Sequence, residues 1–385
     1  MKYLGLMSGT SLDGIDAALV EIEGDPLNGV VWSLLAFRSR PFTGEERARL
    51  AGLIEAGSAR DLCLVHADLG EAFADAALQL LAETDTPPGA VAAIGSHGQT
   101  LWHEPPSARR RGATLQLGDP ATIAERTGIP VVSDLRARDV AAGGHGAPLV
   151  CFADRLLLAH PTEGRAVQNL GGMGNVTWVP PRRGARHELL AFDTGPANAL
   201  IDAAVELATS GAETYDRDGG RAAAGHVDVE LLSELMDHPF FRTPPPRSTG
   251  REVFGRPYVR ALADRRAPAD AQGWADLIAT LTAFTARSIG DAYRRWVLPR
   301  GVTDVVLVGG GARNPVLAGM IASELAPVPV VGGGAIGMDV DAREAVGFAL
   351  LAWAFQNAVA GNEVGATGAA GPRLLGSYTP GKGLA

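Results

Sequence analysis

The chain has 385 residues, a length that favours two domains or one large α/β unit over a single small core. Its 46% hydrophobic and 20% charged residues are typical of a folded protein, and a net charge of -9 with dispersed basic residues argues against nucleic-acid binding. The cysteines Cys63 and Cys151 form no Cys-x-x-Cys pair, which excludes a disulfide framework and a thiolate metal site.

No segment predicts export or membrane insertion. The apolar run at the amino terminus breaks at Ser8-Gly9, and the apolar stretch around 345–355 is shorter than a membrane span. We therefore expect a soluble cytoplasmic protein without a membrane partner. The sequence does not decide the oligomeric state, and a homodimer is compatible with it.

The first predicted elements are two strands around a glycine-containing loop. Residues 2–7 and 15–22 are apolar and rich in β-compatible residues, with turn chemistry between them. Apolar residues at three- and four-residue spacing predict a helix over 66–83. Residues 91–96 and 128–134 look like buried strands that end in polar residues, as strands that carry active-site groups often do.

The second half repeats this pattern after a glycine-rich hinge predicted over 139–148. Residues 165–179 again read as strand, glycine turn and strand, so the two turns are predicted to be related. Downstream, helices are predicted at 196–207, 274–296 and 341–356, and a strand at 304–308. The low-complexity tail over 361–371 is expected to return to the first domain. Alternating strands and helices predict a largely parallel sheet in each half.

Three glycine-rich loops follow predicted strands: Gly9-Thr10-Ser11, Gly171-Gly172 and Gly309-Gly310-Gly311. Glycine lets several backbone N–H groups approach one phosphate, so these loops predict phosphate binding. The first loop is also compatible with a hairpin of no function, and the third with an ordinary strand-to-helix turn. Neither a P-loop sequence nor a full Gly-x-Gly-x-x-Gly between strand and helix occurs, so those two nucleotide folds are not expected.

Paired phosphate hairpins in two halves that flank a cleft are the arrangement of the actin, hexokinase and Hsp70 superfamily. Motifs over nearly the whole chain narrow this resemblance: 5–16, 95–105, 116–119, 169–172, 192–196, 216–220, 248–252, 309–314 and 341–345. In this order they resemble the anhydro-N-acetylmuramic acid kinase family. Ala197 stands where that family usually has Gly, and Met173-Gly174 where it usually has Ile-Ala.

The resemblance implies an α/β fold of two actin-like (ASKHA, RNase H-like) domains, with mixed, largely parallel sheets that flank an interdomain cleft. Domain I would comprise residues 1–138 and 358–385, with the first phosphate hairpin and the sugar-binding loops. Domain II, residues 139–357, would hold the second phosphate loop, the catalytic aspartate and the adenosine-binding loop.

The resemblance also implies a reaction. ATP, with Mg²⁺, would phosphorylate 1,6-anhydro-N-acetylmuramic acid while the anhydro ring is hydrolysed, giving N-acetylmuramic acid 6-phosphate and ADP in peptidoglycan recycling. Two alternatives remain open: a kinase of the same superfamily for another sugar or a carboxylate, and an actin- or Hsp70-like ATPase that binds a partner. Against the ATPase, the motifs extend from Gly5 to Glu344 and leave no separate peptide-binding domain.

Two carboxylates are the catalytic candidates. Asp193 is the candidate general base, because a water that attacks the anomeric carbon needs a base within hydrogen-bond reach. Since Asp193-Thr-Gly-Pro196 also reads as a helix start, a helix cap is the alternative. Glu344 is a candidate for orienting water or substrate, and the solvated face of a helix is its alternative.

The nucleotide- and phosphate-binding candidates are Gly9, Thr10, Ser11, Leu12, Asp13, Gly14, Ile15, Asp16, Gly171, Gly172, Gly309, Gly310, Gly311 and Asn314. Asp13 and Asp16 are also the Mg²⁺ candidates, or simple turn formers beside Gly14. The substrate-binding candidates are His97, Gln99, Thr100, Asp119 and Asn198. The loop of His97 offers donors and acceptors for an N-acetyl sugar with a lactyl carboxylate; alternatively, the histidine is satisfied internally.

Overall fold

The structure is a computed structural model and describes residues 1–9, 12–25, 29–107, 110–182, 188–336, 339 and 341–382. The chain forms two compact units, Met1–Leu157 with Asp341–Ala385, and Leu158–Val340. These boundaries correct the predicted domains, because residues 139–157 and 341–357 belong to the first unit and not to the second.

The strands in chain order are β1 (Lys2–Ser8), β2 (Gly14–Asp25), β3 (Gly29–Pro41), β4 (Val91–Glu104), β5 (Ala113–Leu117), β6 (Val131–Ser133), β7 (Arg165–Leu170), β8 (Met173–Val179), β9 (Leu190–Pro196), β10 (Val305–Val308), β11 (Val330–Gly332) and β12 (Ser377–Thr379). The α-helices are α1 (Gly44–Ala56), α2 (Ala59–Glu83), α3 (Pro120–Thr127), α4 (Ala137–Ala141), α5 (Val150–Leu158), α6 (Asn198–Ala208), α7 (Gly220–Ala224), α8 (Val229–Met236), α9 (Arg256–Arg266), α10 (Ala271–Ala292), α11 (Pro315–Leu325), α12 (Arg343–Gln356) and α13 (Val364–Thr367). Among the described residues, none of these helices combines the length and the apolar character needed to cross a bilayer.

The two units contain sheets of the same topology. The first sheet contains the strand order β3-β2-β1-β4-β6, with β12 beyond β6 and β5 paired with β4. The second has the order β9-β8-β7-β10-β11. In each, the first three strands form an antiparallel meander, and two later strands run parallel to the first. The repeated topology agrees with the paired actin-like domains expected from the sequence.

The expected largely parallel pairing holds only for part of each sheet. Parallel pairs join strands that are separated along the chain by helices, such as β1 with β4 and β7 with β10. Strands joined by short turns pair antiparallel, because a short turn reverses the chain and a parallel pair needs a long crossover. Both sheets are therefore mixed.

Helix α12 explains why the domain boundary differs from the prediction. It is buried over most of its length and packs on β1, β2 and β4 of the first unit. A Cβ atom on Gly5 would lie 1.8 Å from the carbonyl oxygen of Ala345, and one on Gly95 would lie 1.9 Å from that of Phe348. The helix backbone thus touches the sheet at two glycines. The tail then adds β12 beside β6, which confirms its predicted return to the first domain.

Both faces of the first sheet are covered. Leu4 and Leu6 point to the side of α2, where they pack with buried Phe73. Tyr3 points to the opposite side and packs in the cluster that contains Phe348 of α12. This alternation along β1 fits a strand that is buried on both faces.

Candidate functional site

The first glycine loop joins β1 to β2. Thr10 and Ser11, both predicted to bind phosphate, lie outside the described residues. The N–H of Leu12 donates to the carbonyl oxygen of Gly9 at 3.3 Å, and Nε2 of Gln99 donates to the same oxygen at 3.1 Å. Leu12 has a φ of 56°, in the left-handed region that allows a tight reversal. The loop is therefore tied to the sheet at its first residue.

The residues after the loop form the start of β2. A Cβ atom on Gly14 would lie 2.3 Å from the carbonyl oxygen of Arg40, so the two strands meet closely there. The side chain of Ile15 is fully buried in the core. Gly14 and Ile15, both predicted to bind nucleotide, can therefore offer only backbone groups to a ligand.

Two predicted substrate residues, Gln99 and Thr100, are buried in β4. Besides donating to Gly9, the Gln99 side chain accepts a hydrogen bond at its Oε1 from the hydroxyl of Ser8 at 2.6 Å. The hydroxyl of Thr100 accepts a hydrogen bond from Nε2 of Gln116 at 3.3 Å. Gln99 thus holds the first glycine loop.

His97 is buried against the ring of Phe348, with ring centroids 4.7 Å apart. Its Nδ1 lies 2.8 Å from the carbonyl oxygen of Gly98, and its Nε2 accepts a hydrogen bond from Nε of Arg136 at 2.9 Å. Burial, together with the charge of Arg136, lowers the pKa of His97 to about 3. The imidazole is neutral, and both of its nitrogens have partners inside the protein.

Asp119 is the N-cap of α3. Its carboxylate accepts hydrogen bonds from the backbone N–H groups of Ala121 at 3.1 Å and Thr122 at 3.0 Å. Burial acts to raise the pKa of Asp119, but these hydrogen bonds and that of the Thr122 hydroxyl outweigh it and lower the pKa. The structure gives this carboxylate a capping role that the sequence analysis did not assign.

Three carboxylates of the first unit, those of Asp13, Asp341 and Glu344, interact electrostatically with a fourth, that of Asp16. Burial raises the pKa of Asp16 to about 6; a hydrogen bond with Ser39 opposes this, and the three neighbouring carboxylates reinforce it. Such mutual repulsion favours a bound cation. Among the described residues no three metal-binding side chains converge, but Mg²⁺ commonly takes one or two carboxylates and completes its shell with water and phosphate oxygens. Asp13 and Asp16 fit that kind of donor set.

Glu344 stands in the first turn of α12 with an exposed side chain. It interacts electrostatically with Asp16 and with Arg136, the partner of His97. Burial lowers the pKa of Arg136 to about 10, while Glu344 and Asp139 act in the opposite direction. The structure thus groups Glu344 with the other predicted site residues of the first unit.

The second glycine loop is the two-residue turn between β7 and β8. The carbonyl oxygen of Gly171 accepts a hydrogen bond from the N–H of Asn198 at 2.9 Å. The carbonyl oxygen of Gly172 accepts from Ala197 and Ala199, both at 3.0 Å. The turn is therefore joined to the start of α6. Asn198, which was grouped with the sugar-binding residues, lies beside this turn in the second unit.

The third glycine loop follows β10. Gly309 has a φ of 81°, and a Cβ atom there would lie 2.4 Å from Oδ1 of Asn169, so the position requires glycine. Oδ1 of Asn314 accepts hydrogen bonds from the N–H groups of Val316 at 3.0 Å and Leu317 at 3.1 Å. Asn314 is the N-cap of α11, as an ordinary strand-to-helix turn requires.

A cavity of about 380 Å³ lies beside the third loop and the start of α6. Its lining residues are Asn198, Ile201, Asp202, Tyr215, Asp216, Arg217, Asp218, Gly310, Gly311, Arg313 and Asn314. Burial raises the pKa of Asp202 to about 7, and the charge of Arg251 opposes that rise. A Cβ atom on Gly172 would lie 3.5 Å from a terminal nitrogen of Arg251, so this guanidinium is close to the second loop.

The sequence analysis missed Asp202, Tyr215 and Arg251. The signal for Asp202 is its position four residues after Asn198, which places both side chains on one face of α6. The size of the cavity and its convergent polar groups are typical of a small-molecule site.

Asp193 lies within β9, and α6 begins only at Asn198 with Ala197 as its N-cap, so the helix-cap alternative is wrong. The side chain is half-buried, and Oδ2 accepts a hydrogen bond from the N–H of Thr249 at 2.8 Å. Burial raises the pKa of Asp193 to about 6, while this hydrogen bond and the charge of Arg247 oppose the rise. Such a carboxyl group is ionised at neutral pH and can accept a proton.

The family model and the sequence relatives match nearly the whole chain. The family model described as anhydro-N-acetylmuramic acid kinase matches residues 1–381. The chain is 46% identical over 379 residues to the anhydro-N-acetylmuramic acid kinase of Gloeobacter violaceus, covering 98% of each chain. It is 47% identical over 386 residues to the one from Streptomyces coelicolor, covering 99% of this chain and 94% of that protein. One solved structure is that of the activator of 2-hydroxyisocaproyl-CoA dehydratase from Clostridium difficile with bound ADPNP, which aligns with 92% of this chain over 94% of its own chain. At 14% identity and a TM-score of 0.43, this likeness supports no conclusion. The chain belongs to the anhydro-N-acetylmuramic acid kinase family.

Proposed function

We propose that this kinase uses ATP to phosphorylate 1,6-anhydro-N-acetylmuramic acid on its sixth oxygen and hydrolyses the anhydro bridge in the same event. The products are N-acetylmuramic acid 6-phosphate and ADP, and the reaction serves peptidoglycan recycling in the cytoplasm, where ATP is supplied. The observation that carries the proposal is the similarity, over nearly the full length, to relatives named for this activity. The placement of Asp193 supports it.

ATP is bound by backbone groups in this proposal. The candidate groups are those of the loop at Gly9 and of the turns at Gly171-Gly172 and Gly309-Gly310-Gly311, each of which directly follows a strand. Mg²⁺ bound with ATP would neutralise charge on the phosphates. Asp13 and Asp16 would hold the ion together with water and phosphate oxygens, since their mutual repulsion favours a cation.

Asp193 is the proposed general base. It takes a proton from the water whose oxygen bonds to the anomeric carbon, and the bond from that carbon to the bridging sixth oxygen breaks. The released oxygen bonds to the γ-phosphorus, and ADP leaves with the electrons of the broken bond. Glu344 is proposed to orient the water or the sugar. Alignment of both reactions is the main task of the protein.

The proposal is tested by turnover of the anhydro sugar with ATP and Mg²⁺ in ¹⁸O-labelled water. We expect the label at the anomeric carbon and the phosphate on the sixth oxygen. A phosphorylated sugar with its bridge intact would contradict the coupled reaction. Phosphorylation of glucose or N-acetylglucosamine without turnover of the anhydro sugar would favour a kinase for another sugar. Nucleotide-dependent polymerisation without sugar turnover would favour the ATPase.

The cavity of the second unit is proposed to receive the adenosine of ATP, with Asp202 on the ribose. Asp202 follows Asn198 by one turn of α6, about 6 Å along the helix. Within the ATP molecule, the ribose lies at a similar distance from the phosphates. A carboxylate only accepts hydrogen bonds, and the vicinal hydroxyls of ribose offer two donors. Tyr215, 53% exposed, is free to stack on the base.

At about pH 8.5, above the pKa of about 7 of Asp202, we expect Asp202→Asn to raise the KM for ATP by about 10- to 100-fold, because a hydrogen bond to a charged acceptor is lost. The diagnostic measurement is the preference for ATP over 2′,3′-dideoxy-ATP, which should be large in the wild type and nearly absent in the variant. Glu206→Gln, one turn further along α6 and paired with Arg256, is the matched control and should keep the preference. An undiminished preference in Asp202→Asn would remove Asp202 from ribose binding.

A further inference from the structure

We infer that Arg247 is a positioning residue for the general base: it holds Asp193 in place by hydrogen bonds to its backbone and keeps a positive charge beside its carboxylate. The inference rests on the proposed function, in which Asp193 accepts the proton of the attacking water. It concerns a residue that lies outside every predicted motif and outside the cavity.

The segment of Arg247 to Thr249 binds Asp193 at three points. The N–H of Asp193 donates to the carbonyl oxygen of Arg247 at 3.0 Å, and Nε of Arg247 donates to the carbonyl oxygen of Asp193 at 3.0 Å. The N–H of Thr249 donates to the carboxylate at 2.8 Å. Because β9 is the last strand of its sheet, this segment supplies partners on the side that no strand covers. Both the backbone and the carboxylate of Asp193 are thereby fixed.

The guanidinium of Arg247 is itself held from several sides. Its terminal Nη1 donates to the carbonyl oxygen of Thr243 at 2.9 Å and lies 3.3 Å from that of Phe240. Its central carbon also lies over three aromatic rings, with centroid distances of 5.4 Å to Phe192, 4.6 Å to Phe240 and 4.7 Å to Trp296. A planar, delocalised cation suits such a site, and a lysine ammonium cannot make the same set of contacts.

Neighbouring charges of the second unit act on the pKa values of both Arg247 and Asp193. Burial lowers the pKa of Arg247 to about 10, the nearby Arg295 adds to this, and Asp291 and Asp193 oppose it, so Arg247 stays cationic at neutral pH. For Asp193, burial raises the pKa, and the hydrogen bond from Thr249 and the charge of Arg247 counteract it. Loss of the Arg247 charge would therefore move the pKa of Asp193 further up and leave less of the base ionised at neutral pH.

The test compares Arg247→Gln, which loses the charge, with Arg247→Lys, which keeps it. In the wild type, kcat/KM for the anhydro sugar should fall as the pH drops through about 6, since protonated Asp193 cannot act as a base. In Arg247→Gln this midpoint should move up by about one pH unit. In Arg247→Lys it should stay near the wild-type value while kcat falls by about 10- to 100-fold, because the carboxylate is less well placed.

Arg295→Gln is the matched control, since Arg295 lies over the same Trp296 ring at 5.7 Å but is half exposed and pairs with Asp291 at 2.9 Å. It should leave the midpoint unchanged. If Arg247→Gln folds and its kcat/KM has the same pH midpoint as that of the wild type, the inference is overturned, even if Asp193→Asn is inactive. If Arg247→Gln does not fold, an unchanged kcat in Arg247→Lys would overturn it equally. Activity retained in Asp193→Asn would instead remove the proposed base.

Discussion

Replacement of Asp193 by Asn is expected to lower kcat by about 10²- to 10⁴-fold, the usual contribution of a general base, with ATP binding nearly unchanged. Asn has the same shape and keeps an oxygen that can accept the hydrogen bond from Thr249, which is 2.8 Å from the present carboxylate. It cannot take a proton from water at neutral pH. The loss should therefore appear in turnover of the anhydro sugar and not in calorimetric titration with ATP.

The control for this variant is Asp237→Asn, which neutralises an exposed aspartate of the same unit and should turn over at the wild-type rate. Turnover of Asp193→Asn at a rate close to that of the wild type would exclude the residue from the mechanism. A parallel loss of ATP binding would point to a folding defect and not to a missing base.

The second large effect concerns stability. Asp154→Ala is expected to reduce the free energy of unfolding of the first unit by about 3–5 kcal/mol. Nε of Arg343 donates to one carboxylate oxygen of Asp154 at 2.9 Å, and Nη2 of Arg343 donates to the other. Both side chains are buried. Removal of the carboxylate leaves the Arg343 charge buried without its partner. Since Arg343 directly precedes Glu344 in α12, the first turn of that helix should loosen as well.

Urea denaturation of the two variants in parallel measures this effect. The control is Asp68→Ala, which breaks the exposed pair of Arg49 and Asp68, joined at 2.7 Å. An exposed pair contributes about 0–1 kcal/mol, so this variant should unfold close to the wild-type midpoint. Equal midpoints for Asp154→Ala and Asp68→Ala would show that the buried pair does not stabilise the fold.

Tertiary contacts decided the roles of several residues that the motifs identified. His97, Gln99 and Asp119 are side chains of the right chemistry for a sugar, yet all three have internal partners. Gln99 binds Gly9, 90 residues before it, so no local pattern could reveal that bond. Local sequence also left Asp193 divided between base and helix cap, and only the path of β9 excluded the cap.

The roles of residues outside the motifs could not be predicted from the sequence. Arg247 binds the backbone of Asp193 across 54 residues, and its aromatic neighbours come from three separate segments. Asp202 is a candidate because it lines the cavity beside α6, which is formed by segments distant along the chain. Such contacts depend on the packing of distant segments, and composition or periodicity carries no trace of them.

The sequence by itself determined the repeated strand, glycine turn and strand in the two halves, the mixed α/β class and the resemblance to one kinase family. These features are encoded within a few residues, since turns at positions such as Gly309 require glycine and strands require short apolar runs. Only the tertiary structure decided which unit holds α12, which side chains are free for a ligand, and what surrounds Asp193. The reason is physical: burial, hydrogen-bond satisfaction and the resulting pKa values are set by neighbours that are distant along the chain.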